Sequence, residues 1–199
     1  MVDLNHEQFQ DLIVRVRNGD ENAAFELVKA YEPEIRRDVR LRLTDRKLRR
    51  TLDSTDICQS VFGNFFVRAA VGQFNFDRPE QLLRLLSTMA RNKVIDRHRR
   101  EKSRRPADDG KMENLNGSNV NEPSDPGSSP SQVVQGKELL QQIESRLSKD
   151  EKKIAQLRRR GCSWNEIADQ IGGSVDALRK RLARACDRVF QELGLDEEP

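Results

Sequence analysis

The chain has 199 residues, which at roughly 150 residues per domain means one domain or two small ones. Hydrophobic and charged residues each make up 35% and aromatics 5%, a composition suited to surface-rich helices and poor for a β-sandwich or a deep enzyme core. Lys and Arg number 36 against 33 Asp and Glu, so the net charge of +3 says little and the placement of charge must carry the information.

The first helix is expected where Phe9, Leu12, Ile13 and Val16 recur at helical spacing. Gly19 should end it and Asp20 should cap the next, which carries Ala23, Ala24, Leu27, Val28 and Tyr31. Pro33 should kink or interrupt that helix before Ile35, Val39 and Leu43 continue the apolar stripe. A basic series from Arg36 to Arg50 lies opposite. Asp53 or Ser54 can cap a third helix holding Ile57, Val61, Phe62, Phe65 and Phe66. A loop from Val71 to Arg78 precedes Pro79, which suits the first turn of a fourth helix with Leu82, Leu86, Met89, Ala90 and Val94. That helix runs into Ala90–Arg105, where eight cations oppose Asp96 and Glu101 for a net +6, a strong and salt-sensitive phosphate binder. Phe74 and Phe76 sit in the loop just before it. They either stack on unpaired bases beside the basic helix or plug the core beneath the loop. His98 reads as solvated or phosphate-facing, with no partner that suggests a catalytic triad.

Composition changes after residue 104. The stretch from Pro106 to Gln135 is rich in Pro, Gly, Ser and Asn. Asp108, Asp109, Glu113, Glu122 and Asp125 oppose Lys111 for a net −4. Such a segment cannot bury enough apolar surface to offset its ordering entropy. An all-α chain of two small helical domains is expected, 1–104 and 136–199, joined by a flexible acidic linker, 105–135.

The C-terminal part starts with a helix of Leu139, Leu140, Ile143 and Leu147. Two capping boxes follow, Ser148 with Glu151 and Ser163 with Glu166, and Gly161 ends the helix between them. Ser174 can cap a last helix with Val175, Leu178, Leu182 and Val189. Ala168, Gly172 and Leu178 have the spacing of a helix-turn-helix: a small residue at the close approach, a turn, then an apolar residue on the inner face. Asp176, Ala177, Lys180, Arg181 and Arg184 should then face outward, with Arg179 to one side. Cations at the start of a recognition helix suit phosphates and guanine edges in a major groove. The plainer account is a helical hairpin with a solvated basic face. Trp164, Cys162 and Cys186 read as core residues.

No apolar run approaches the ~20 residues of a membrane span, and the N-terminus lacks the blocks of a signal peptide. Three cysteines and two histidines give neither zinc-ligand spacing nor a disulfide framework. A cytoplasmic protein without metal or cofactor is expected, and no residues suggest an enzyme.

The whole arrangement resembles a bacterial RNA polymerase sigma factor of the extracytoplasmic-function group, over about residues 9 to 193. The resemblance rests on Gly19–Phe25, on Asp53-Ser54-Thr55-Asp56-Ile57-Cys58-Gln59-Ser60-Val61-Phe62, on Ala90–Arg97, and on the helix-turn-helix. It implies a factor that binds core RNA polymerase, directs it to specific promoters and assists melting. Asp53, Asp56, Gln59 and Phe62 would contact the polymerase. Asn92, Lys93, Asp96, Arg97 and Arg100 would contact minus-ten DNA, and the loop with Phe74 and Asn75 would capture an unpaired base. Ser174, Ala177, Lys180, Arg181 and Arg184 would lie in the reader of the upstream, minus-thirty-five element. An anti-sigma factor is a candidate partner. This chain departs from the family pattern at Thr55 and Ser60, where acids are usual, and at Leu82 and Leu85, where an aromatic pair is usual. The alternative is a free-standing helix-turn-helix repressor or activator; the second basic helix, far from the helix-turn-helix, argues against it.

Overall fold

The computed structural model describes residues 5–43, 53–104 and 136–195; the linker 105–135 and the basic residues from Arg46 to Arg50 lie outside them. Among the described residues there are eight helices and no strand. They are α1 (His6–Arg17), α2 (Glu21–Arg42), α3 (Ser54–Ala70), α4 (Pro79–Arg104), α5 (Gly136–Arg146), α6 (Lys149–Arg159), α7 (Trp164–Ile171) and α8 (Val175–Glu192).

Side chains close the exposed N–H groups at most of the helix starts. Asp20 accepts from the backbone of Asn22 and Ala23 at 2.9 and 3.2 Å, and Asp53 accepts from Thr55 at 2.9 Å. Both expected capping boxes form. Ser148 N–H donates to Glu151 at 2.8 Å and Ser163 N–H donates to Glu166 at 2.6 Å, each reciprocated at 3.3 Å. Of the two outcomes expected at Pro33, a kink or an interruption, the interruption does not occur: the helix runs through it from Glu21 to Arg42. Proline removes one hydrogen bond, but Leu27, Tyr31, Ile35 and Val39 are buried on either side of it. Each such burial is worth ~1.5–3 kcal/mol, which together outweighs the break.

Two apolar cores result. The first joins α1 to α4 around Phe9, Leu27, Ile35, Phe65, Leu82 and Leu86. The second joins α5 to α8 around Ile143, Ile154, Ile167, Leu182 and Val189. The second core also takes Val67, Ala70 and Val71 from the end of α3 and the turn after it. Helix α3 therefore belongs to both, with one face in each.

The turn after α3 brings the two units into contact. Gly72 has φ +71°, a conformation natural to glycine. A Cβ there would lie 3.0 Å from the Cβ of Arg158. Arg158 is 4% exposed. Its Nε donates to the Gly72 carbonyl at 3.1 Å and its Nη1 to the Cys162 carbonyl at 2.7 Å. Burial, then the nearby cations Arg17 and Arg179, pull its pKa below the usual arginine value.

Candidate nucleic-acid and polymerase interfaces

The helix-turn-helix forms as its spacing requires. Gly172 turns at φ +84° and its N–H donates to the Ala168 carbonyl at 2.8 Å. Ser174 caps α8 by accepting from Ala177 at 3.2 Å. Leu178 and Leu182 face the core, so Ser174, Ala177, Lys180, Arg181 and Arg184 all face solvent. Arg181 donates to Asp150 of α6 at 2.7 Å, across a pair exposed on both sides. Trp164 is half-buried rather than fully core. The guanidinium of Arg158 lies 4.8 Å from its ring centroid and that of Arg179 lies 5.7 Å away.

The second candidate surface is a groove along α4. Asn92, Lys93, Asp96, Arg97 and Arg100 line it together with Phe74. All five expected α4 residues are thus brought to one place, with Leu85 and Met89 beside them. Asn75 lies elsewhere, in a smaller cleft with Gln73, Arg158 and Trp164. Loop position is fixed from α1: Gln10 donates to the Phe76 carbonyl at 2.8 Å, and Arg17 donates to the Phe74 carbonyl and, at 3.4 Å, to Asn75 Oδ1. Phe76 is buried, and Phe74 stacks on Phe65 with ring planes 4° apart and centroids 6.2 Å apart. Both rings therefore plug the core, and Phe74 is half-buried with the groove beside it.

On α3, Asp53, Asp56 and Gln59 are exposed. Phe62, expected beside them on the exposed side, is 3% exposed and stacks on Phe66 within the first core. Helical geometry explains the correction. Phe62 shares its face with the buried Phe65 and Phe66 and lies with them in the core that joins α1 to α4. Burial pushes the Cys58 and Cys186 thiols up to about 12, so both are inert packing groups, while Cys162, expected to be buried, is half-exposed.

Sequence reasoning missed the residues that join the two units. Arg68 of α3 donates to Asp187 of α8, to Asn64 at 2.6 Å and to Gln73 at 3.1 Å. Phe190 packs over Gly63, whose Cβ, if present, would lie 3.3 Å from its ring. A signal existed: from Ile57 to Val71 the apolar residues go most of the way round α3, which marks a helix covered on several sides. Among the described residues no cluster of three or more His, Cys, Asp or Glu could hold a metal, and no helix is long and apolar enough to cross a membrane.

Helical bundle, helix-turn-helix and a second basic surface define a DNA-binding transcription protein. The family model for ECF sigma factors matches residues 6–194, nearly the whole chain, and the chain belongs to that family. It is a sigma factor, a transcription initiation factor that directs RNA polymerase to promoters, and the free-standing repressor is set aside. No curated protein and no solved structure matches it.

Proposed function

We propose that residues 1–104 bind core polymerase and minus-ten DNA, that 105–135 is a tether, and that 136–199 reads the upstream element as duplex. In this reading Lys180, Arg181 and Arg184 enter the major groove while Ser174 and Ala177 approach the backbone. Asn92, Lys93, Arg97 and Arg100 hold the melted strand, with Asp96 among them. Asp53, Asp56 and Gln59 face the polymerase, and Phe62 supports their helix from beneath. The chain works in the cytoplasm as a non-enzymatic subunit, with an anti-sigma protein as a further candidate partner. One observation carries this reading: a single chain presents two separate cationic surfaces, one on a recognition helix and one in a groove. Run-off transcription with purified core polymerase tests it. Transcripts from a cognate promoter should depend on this protein, and a chain that shifts duplex DNA but starts no transcript would overturn the proposal.

A further inference from the structure

Beside the seam where α8 packs on α3, three arginines meet, and among the described residues none of them pairs with an acid. The groove along α4 is different. There Asp187, Phe190 and Gln191 of α8 form the wall opposite the α4 row, and the carboxylates of Asp96 and Asp187 stand among the cations. The smaller cleft is lined by Arg158, Trp164 and Arg179 with the amides of Gln73, Asn75 and Asn165, and among the described residues no carboxylate lines it. Glu166, in the first turn of α7, does not line it and accepts the Ser163 N–H at 2.6 Å.

Arg158 is the most costly of the three. It is 4% exposed, and its guanidinium donates to two neutral carbonyls, Gly72 at 3.1 Å and Cys162 at 2.7 Å. Arg17 also donates to neutral oxygens, the Phe74 carbonyl and Asn75 Oδ1. Arg179 is exposed and lies against the Trp164 ring, as Arg158 does. A guanidinium cannot shed its charge, and a buried charge is costly unless an opposite charge meets it. The neighbours here raise that cost: burial, then Arg17 and Arg179, hold the Arg158 pKa below the ordinary arginine value, and burial does the same to Arg17. An anion from outside the chain would offset it.

The size and the charge narrow the choice of anion. The cavity is about 360 Å³, within the ~300–1,000 Å³ of small-molecule pockets. Guanidinium forks match carboxylate and phosphate alike. A carboxylate brings a single charge, whereas a phosphate group brings about −1.5 to −2 and three acceptor oxygens, closer to what three converging cations need. We propose that this cleft binds a phosphate-bearing small molecule, held by Arg158 and Arg179, with Arg17 adding charge from behind the loop. The site is separate from the α4 groove and does not use Lys180, Arg181 or Arg184, so it stands apart from the promoter reading.

The protein carries its own reporter. Trp164 is the only tryptophan in the chain and lines the cleft, so its fluorescence reads the site directly. The full chain is titrated with pyrophosphate at constant ionic strength, which holds screening fixed. Trp164 emission should change to saturation. Arg158→Gln removes the buried cation but also its bonds to the Gly72 and Cys162 carbonyls, so Arg179→Gln, at an exposed position, is the deciding variant. It should keep the helical circular dichroism and weaken pyrophosphate about tenfold or more. Arg37→Gln removes an equal charge from the exposed side of α2 and should bind as wild type does. A titration that never saturates overturns the site. Equal losses in the Arg179→Gln and Arg37→Gln chains also overturn it, because diffuse charge then accounts for the binding. A DNA backbone offers the same phosphate chemistry. Trp164 emission that responds to an upstream duplex and not to pyrophosphate would put a backbone phosphate in the cleft and overturn the small-molecule site.

Discussion

In the proposed reading, Arg181 would serve two interactions that compete. Its pair with Asp150 is exposed on both sides, and such pairs contribute only ~0.2–1 kcal/mol. A good contact to a base edge is worth ~1–3 kcal/mol, so DNA wins. Arg181→Ala should cost ~1–3 kcal/mol of duplex affinity and relax preference at one base pair. Lys180→Ala should do the same if the side chain reaches a base. If it reaches phosphate, affinity should fall evenly across sequences and the salt slope should shrink. Titrations against a randomised upstream element at two salt concentrations separate the two cases. Glu151 makes a second residue-scale prediction. Burial favours its neutral form, but hydrogen bonds from Arg188 and Ser148 outweigh that, and its pKa lies below the ordinary 4.5. A depressed carboxylate stabilises the fold above its unfolded pKa, and that contribution is lost as pH falls through the unfolded value towards the folded one. Wild type should therefore lose more thermal stability between neutral pH and about pH 3.5 than Glu151→Gln does. Parallel melts that shift equally would remove Glu151 from the acid response.

At the scale of elements, α3 carries the most demands. Its exposed side offers Asp56 and Gln59, and a paired change, Asp56→Ala with Gln59→Ala, should weaken pull-down by core polymerase while the helical circular dichroism stays intact. Undiminished pull-down would move the polymerase contact off this helix. The helices themselves were legible in the sequence because their signals are local. Asp20, Ser148, Ser163 and Ser174 each cap within three residues, and the apolar spacing of α1 and α8 needs no partner to be recognised. Pro33 does not end its helix because a local penalty is overridden by packing on either side of it. Phe62 was misjudged because three phenylalanines within five positions do not say which of them turns outward. The α4 surface was legible as charge, whereas the wall opposite it was not. Asp187 and Phe190 lie about 120 residues further along the chain, and no local pattern pairs them with Gly63 and Arg68.

For the whole molecule, the proposed tether, residues 105–135, would set what the two units can reach together. A linker of about 30 residues spans at most ~100 Å when extended and averages ~30 Å as a coil. It can bridge the ~60 Å between promoter elements only when held beyond its relaxed length. Deleting half of it leaves ~50 Å and should abolish use of promoters at normal spacing while sparing binding of isolated upstream duplex. Replacing its five acids by Asn or Gln keeps the length. Initiation that drops with this neutral linker would assign the charge a path along a cationic channel of the polymerase, and unchanged initiation would leave a passive spacer. The seam on α3 has a thermal consequence as well. Its apolar part is Val67, Ala70, Val71, Phe190 and Leu195, with the Arg68–Asp187 ion pair and the Arg158 hydrogen bond to the Gly72 carbonyl beside it. Burial of such surface carries a negative heat-capacity change and weakens on cooling. The factor should therefore loosen in the cold well before either unit unfolds. Strand binding measured at about 5 and about 30 °C should tighten more steeply on cooling in wild type than in an Arg68→Asp chain, whose seam lacks the pair with Asp187. A seam whose apolar part outweighs its polar contacts is thus also a thermometer, with its cold end set to release.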